Sequence, residues 1–170
     1  SSIELVIDDL NSRRDNGLDP KLEKQLKERI KIRHVYHSNA IEGSKLTLRE
    51  TEVIINNLSA EDDDLTKSRG RIEAKDLNIA YDYLTKLASG NEPLSSLALR
   101  QLHELILKNT KNTEAGIFRK VNVEIKAASH TPPEALHVEE HINEMFTWMN
   151  RNIHKYDPII MGAILHHWIT

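Results

Sequence analysis

Apolar residues recur every three or four positions through almost all of this 170-residue chain, a pattern that commits it to a helical fold. Ile3, Val6, Ile7 and Leu10 begin the series, which breaks at Asn16-Gly17. Asp19-Pro20 predicts a second helix, with Asp as its cap and Pro in its first turn, and Leu22, Leu26 and Ile30 form a stripe running toward Val35. Thr47 and Glu50 have the spacing of a capping box, predicting a helix with Val53 and Ile54 inside. The acidic run 61–64 reads as a solvated loop. Beyond it, Ile72, Leu77, Ala80, Leu84 and Leu87 mark a long helix stopped at Gly90. Ser95 or Ser96 caps the next, which carries Leu99, Leu102, Leu105 and Ile106. Two helices close the series. One covers 134–151 with Val138, Ile142, Met145, Phe146 and Met149 inward, and the other follows Asp157-Pro158 with Ile160, Ala163, Ile164 and His167.

One segment departs from this period. Between 117 and 127, Val121, Val123, Ile125 and Ala127 alternate with Asn122, Glu124 and Lys126, the two-residue repeat of a strand. Gly116 precedes it, and His130-Thr131-Pro132-Pro133 follows as an irregular extended stretch. The expected fold is therefore mainly α with one short β-hairpin. A lone hairpin on a helical body would leave backbone donors and acceptors open to another chain.

Composition narrows the function classes. A net charge of −3 argues against a nucleic-acid reader that works by broad phosphate neutralisation. The absence of cysteine excludes disulfide and thiolate chemistry and agrees with a cytoplasmic setting. No apolar run approaches the ~20 residues of a membrane-crossing helix, and no signal-peptide pattern opens the chain, so no membrane partner is expected. His166-His167 invite a metal reading, but helical neighbours point about 100° apart and cannot both face one ion. One packed and one exposed histidine are expected there. His34, His37 and His103 stand singly with no metal spacing, and Trp148 and Trp168 are expected in the core.

Ser38-Asn39-Ala40-Ile41-Glu42-Gly43 has the form Ser, three residues, Glu, Gly. In that form it resembles the inhibitory helix motif of Fic-type adenylyltransferases. Three further pieces follow in the order that family uses. Gly116-Ile117-Phe118-Arg119 and the run to Ile125 are similar to its β-hairpin flap; Pro132-Pro133 and the helix ending Trp148-Met149-Asn150 resemble the element after the flap. Asp157-Pro158-Ile159 and Ala163-Ile164-Leu165-His166-His167 resemble the helix entering the catalytic loop. The resemblance implies a Fic-type helical bundle over residues 31–170, preceded by N-terminal helices over 1–30. The family signature, His-x-Phe-x-Asp/Glu-Gly-Asn-Gly-Arg and a second Arg, occurs nowhere here and would begin a few residues past Thr170. A helix broken off at Trp168-Ile169-Thr170 leaves its last carbonyls uncapped, so a truncated chain, inactive by itself and without catalytic residues of its own, is expected.

What the resemblance implies is an autoinhibited transferase that moves AMP from ATP, with Mg²⁺, to a Ser, Thr or Tyr hydroxyl of a target protein. In the family the signature His takes the hydroxyl proton as the oxygen attacks the α-phosphate, and backbone N–H groups of the Gly-rich turn hold the phosphates. Glu42 would occupy the second signature Arg, which otherwise grips the γ-phosphate; a carboxylate and a phosphate suit the same guanidinium fork. Ser38, four residues earlier on the same helical face, would steady that carboxylate, and Gly43 would release the helix. Val121, Asn122, Val123, Glu124 and Ile125 would form the target-docking flap, which binds a segment by adding a strand. Two other classes fit the residues: a degenerate, non-enzymatic interaction module that keeps the flap edge, and a generic helical scaffold. A Ser-x-x-x-Glu-Gly string alone is an ordinary helix end, and its place before the flap and the pre-loop helix is what lifts it above that.

Overall fold

The computed structural model describes Asp9, Ser12 and residues 19–56, 68–90, 93–126 and 130–169. The first expected helix, the break at Asn16-Gly17, the acidic run and Ala127 lie outside the described residues. Among those described there are six α-helices and one 3₁₀ turn: α1 (Pro20–Ile41), α2 (Leu48–Asn56), α3 (Ser68–Ser89), α4 (Ser96–Leu107), the turn Ala135–His137, α5 (Val138–Asn152) and α6 (Pro158–Ile169). They fall into two compact units, residues 1–74 and 75–170, with α3 running from one into the other.

Local chemistry sets the helix starts. Asp19 Oδ1 accepts from the N–H of Lys21 at 2.9 Å, and Pro20 fills the first turn without wasting a donor. The capping box at α2 is reciprocal: Glu50 N–H donates to Thr47 Oγ1 (3.2 Å) while Thr47 N–H donates to Glu50 Oε2 (2.8 Å). Ser95 is the cap of α4, its Oγ accepting from Ala98 N–H at 3.3 Å. At α6, Asp157 Oδ1 accepts from Ile159 N–H at 2.8 Å ahead of Pro158.

In the first unit α1 packs on α2. Ile32 and Val35 of α1 and Thr51, Ile54 and Ile55 of α2 are buried there, with Leu46 of the connection. The predicted stripe Leu22, Leu26 and Ile30 is instead 45%, 41% and 58% exposed. A helix of 22 residues is about 33 Å long and its nine-residue partner about 14 Å, so α2 covers only the C-terminal part of α1. Val53 is also exposed, because Thr51, Ile54 and Ile55 share the face at the i, i+3, i+4 spacing and Val53 lies off it.

In the second unit α4 and α6 both pack on α5, whose Met145 and Met149 are fully buried as the periodicity predicts. Met161 is the buried residue of α6, while Ile160, Ala163 and His167 are exposed. The Trp148 ring meets Trp168 edge-on at 5.4 Å and stacks with Tyr156 at 5.9 Å; Trp148 is half-buried and Trp168 exposed, so only the former approaches a core position. Along α3 the buried positions are Ala74, Asp76, Asn78 and Ala80, with Ile72 and Leu84 exposed. Two polar residues thus take buried positions beside the expected apolar ones. Asp76 is satisfied on one oxygen by Asn109 Nδ2 at 2.7 Å, a bond that ties α3 to the loop after α4.

The expected hairpin is absent among the described residues: 117–126 form no strand. Val121, Val123 and Ile125 are 68%, 44% and 44% exposed, and the alternating Asn122, Glu124 and Lys126 are exposed as well. Alternation produces a strand when one face lies on a core and the backbone finds a hydrogen-bonded neighbour. Here neither face is covered, and Val121 O accepts from the Arg119 side chain rather than from another strand.

Candidate functional site

The motif 38–43 is the end of α1. Glu42 is the capping residue, at φ −81° and ψ 6°, and Gly43 follows at φ +89°, in the left-handed region that favours glycine. Ser44 N–H reaches Asn39 O at 2.9 Å and Gly43 N–H reaches Ala40 O at 3.1 Å, the paired bonds of a Schellman end. The helix is therefore halted one residue past Glu42, and that residue stands exposed at its terminus. Its carboxylate makes no ion pair and no hydrogen bond among the described residues. Among the described residues Ser38 meets it through the backbone, Glu42 N–H donating to Ser38 O at 3.4 Å.

What holds this end in place is the close approach of the 44–46 segment to the first turn of α3. A Cβ at Gly70 would lie 3.1 Å from Ser44 Oγ and 3.5 Å from Leu46 Cγ, so glycine leaves room for these two side chains against α3. Ser44 Oγ in turn accepts from Leu46 N–H at 3.4 Å, and Leu46 is buried. Glu42 to Leu46, Arg69, Gly70 and Glu73 line a shallow recess of about 380 Å³. Arg69 donates to Glu73 at 2.8 Å, one turn along α3, so the guanidinium that lines this recess already has a carboxylate.

The segment that follows Gly116 is anchored at its root by α4. Gly116 is buried at φ +69°; its N–H donates to His103 Nδ1 at 3.2 Å and its carbonyl accepts from Arg100 Nε at 2.7 Å. The Arg100 guanidinium also lies over the Phe118 ring, 5.6 Å from its centre. Arg119 then draws the two arms together, donating to Val121 O at 2.9 Å and to Pro133 O. Asn122 Oδ1 accepts from Ala135 N–H at 2.8 Å, at the start of the 3₁₀ turn. Val123, Glu124 and Ile125 stand exposed beyond these ties. Neither Arg100 nor His103 stands out in the sequence. Their only signal is the i, i+3 spacing that puts both on one helical face.

His166 and His167 are both exposed, where one packed ring was expected. Among the described residues no three His, Asp or Glu side chains converge as ligands for an ion. The phosphate-cradling signature does not occur in the sequence given. No helix of the described residues is long and apolar enough to cross a membrane.

Comparison with known proteins places these features. Residues 93–170, from the approach to α4 through α6, match the model of the Fic/DOC family. The chain is 26% identical over 167 residues to the protein adenylyltransferase Fic of Nematostella vectensis, an alignment that takes in 95% of the chain and 38% of that protein. Residues 93–170 are thus similar to the Fic/DOC family. The Aedes aegypti protein adenylyltransferase Fic is 23% identical over 175 residues (95% of the chain, 34% of that protein), and that of Culex quinquefasciatus 26% over 153 residues (89% and 30%). The chain thus spans about a third of the length of these curated relatives. The Fic/DOC match contains residues 116–126 and their α4 anchor. Residues 38–43 precede it but fall inside an alignment covering 95% of the chain.

Proposed function

We propose that this chain is the regulatory and flap portion of an autoinhibited protein adenylyltransferase, with residues 31–170 forming its Fic-type domain. The proposed reaction joins AMP, from Mg·ATP, to a Ser, Thr or Tyr hydroxyl of a target protein and releases pyrophosphate. The observation that carries this reading is the end of α1. A glutamate is left exposed and unpaired among the described residues, at a helix terminus fixed by a Schellman turn and by the 44–46 contact with α3.

That arrangement suits an inhibitor. A carboxylate held without a cation of its own is available to a guanidinium supplied from elsewhere, and a rigid helix end reduces the entropy lost in forming the pair. A charge-assisted hydrogen bond of this kind contributes about 1.5–3 kcal/mol, enough to hold an arginine against a competing phosphate oxygen by roughly 10–150-fold. An arginine so engaged cannot orient the triphosphate, and transfer slows through lost positioning. The exposed Val121, Asn122, Val123, Glu124 and Ile125 are the proposed docking edge, offering backbone groups other than the Val121 carbonyl to an extended target segment.

The test is Glu42→Gly in the full-length protein, with transfer from α-³²P-ATP to other proteins as readout. Labelling should rise at least tenfold over the parent. Equal labelling of variant and parent would remove the inhibitory role.

A further inference from the structure

We propose that His103 and Arg100 are positioning residues for the flap, a clasp on α4 that fixes where the docking edge leaves the body of the protein. The proposal rests on the adenylyltransferase reading for its functional consequence, though not for its geometry.

Gly116 lies in no regular element, yet both of its backbone polar groups are taken, and both by side chains of one helix. His103 Nδ1 accepts its N–H at 3.2 Å, and Arg100 Nε donates to its carbonyl at 2.7 Å. The two side chains are three residues apart and so share a face of α4. Two bonds to one residue fix its orientation as well as its position, which a single bond does not. The fit is close on the third side too: a Cβ on Gly116 would come 3.0 Å from Glu104 Cβ and 3.2 Å from Arg100 O. Arg100 then continues over Phe118, two residues further on. The direction in which the chain departs at Ile117 is thereby set by α4.

Beyond this root no strand stiffens the segment among the described residues, and the ties of Arg119 and Asn122 restrain its arms. A segment that adds to a target as a strand loses conformational entropy on doing so, and a fixed root lowers that loss. His103 acts through an acceptor lone pair, so the side chain that can replace it is one with an acceptor at the same distance from the backbone. Asparagine has this in Oδ1; alanine does not.

The experiment uses full-length protein carrying Glu42→Gly, so that transfer is measurable, with His103→Ala or His103→Asn added. Hydrogen exchange is followed at 116–126 and across α4, transfer from α-³²P-ATP to proteins of a clarified lysate is quantified, and ATP affinity is measured by calorimetry. His103→Ala should speed exchange at 116–126 while leaving α4 unchanged. It should lower lysate labelling about fivefold, the equivalent of one hydrogen bond of about 1 kcal/mol, with ATP affinity unaltered. His103→Asn should stay within twofold of the parent in both. Unchanged exchange in His103→Ala, an asparagine variant as impaired as the alanine one, or a parallel fall in ATP affinity would each overturn the proposal. If the Glu42→Gly parent itself labels nothing, the adenylyltransferase reading fails, and the exchange data still decide whether the clasp exists.

Discussion

Two of the described glycines adopt left-handed backbone, and their substitution by alanine separates conformational from steric cost. Gly43, at φ +89°, has nothing within 4 Å of where a Cβ would stand. Gly43→Ala therefore bears the backbone penalty alone, about 1–2 kcal/mol. Gly116, at φ +69°, bears the same penalty and in addition drives its Cβ to 3.0 Å from Glu104 Cβ and 3.2 Å from the Arg100 carbonyl. The second of these is helical backbone and cannot swing away. A forced close contact of this sort costs about 1–3 kcal/mol more, for a total of about 2–5 kcal/mol. Thermal melts followed by helical ellipticity convert the difference at about 2–4 °C per kcal/mol for a chain of this size. Gly116→Ala should thus melt several degrees below Gly43→Ala, which in turn melts a few degrees below the parent. If the two variants melt together, Gly116 is not pressed against α4, and the geometry of the flap root described above is wrong.

Other outcomes follow from single contacts. Thr47→Ala removes one half of the capping box of α2 and should cost about 1 kcal/mol in a urea melt, with no change in slope. Asn109→Ala leaves buried Asp76 without its 2.7 Å donor and should destabilise by about 1–3 kcal/mol, while Asn109→Asp, which sets two carboxylates face to face, should be worse still in the same melts at neutral pH.

The helices were legible because their signals are local. Asp19-Pro20, Thr47 with Glu50, Ser95 and Asp157-Pro158 each satisfy orphan N–H groups within a few residues, so no knowledge of the rest of the fold is needed to place them. Which face each helix buries is another matter, since that depends on where a partner lies. Leu22, Leu26 and Ile30 have a helical period but no partner among the described residues, and Asp76 and Asn78 occupy buried positions that hydrophobicity alone assigns to their neighbours. The strand expected at 121–125 failed for a related reason: period two describes the side chains, whereas a strand is made by its hydrogen-bonded neighbour. At the candidate site, Gly43 is readable because a helix stop is local chemistry, whereas spacing of four residues puts Ser38 and Glu42 on one face without fixing a bond between their side chains. Arg100 and His103 could not be read at all. Nothing in sequence ties them to Gly116, 13 or more positions away, until the fold brings α4 beside it.

The central claim is that the Glu42 carboxylate holds an arginine the nucleotide also needs. The most direct measurement is the distance between that carboxylate and the nearest arginine guanidinium in an experimental structure of the full-length protein without nucleotide. A paired contact of about 2.7–2.9 Å to an arginine of the Gly-rich signature is the predicted result. A Glu42 side chain facing solvent, with that arginine free or bound elsewhere, would contradict it.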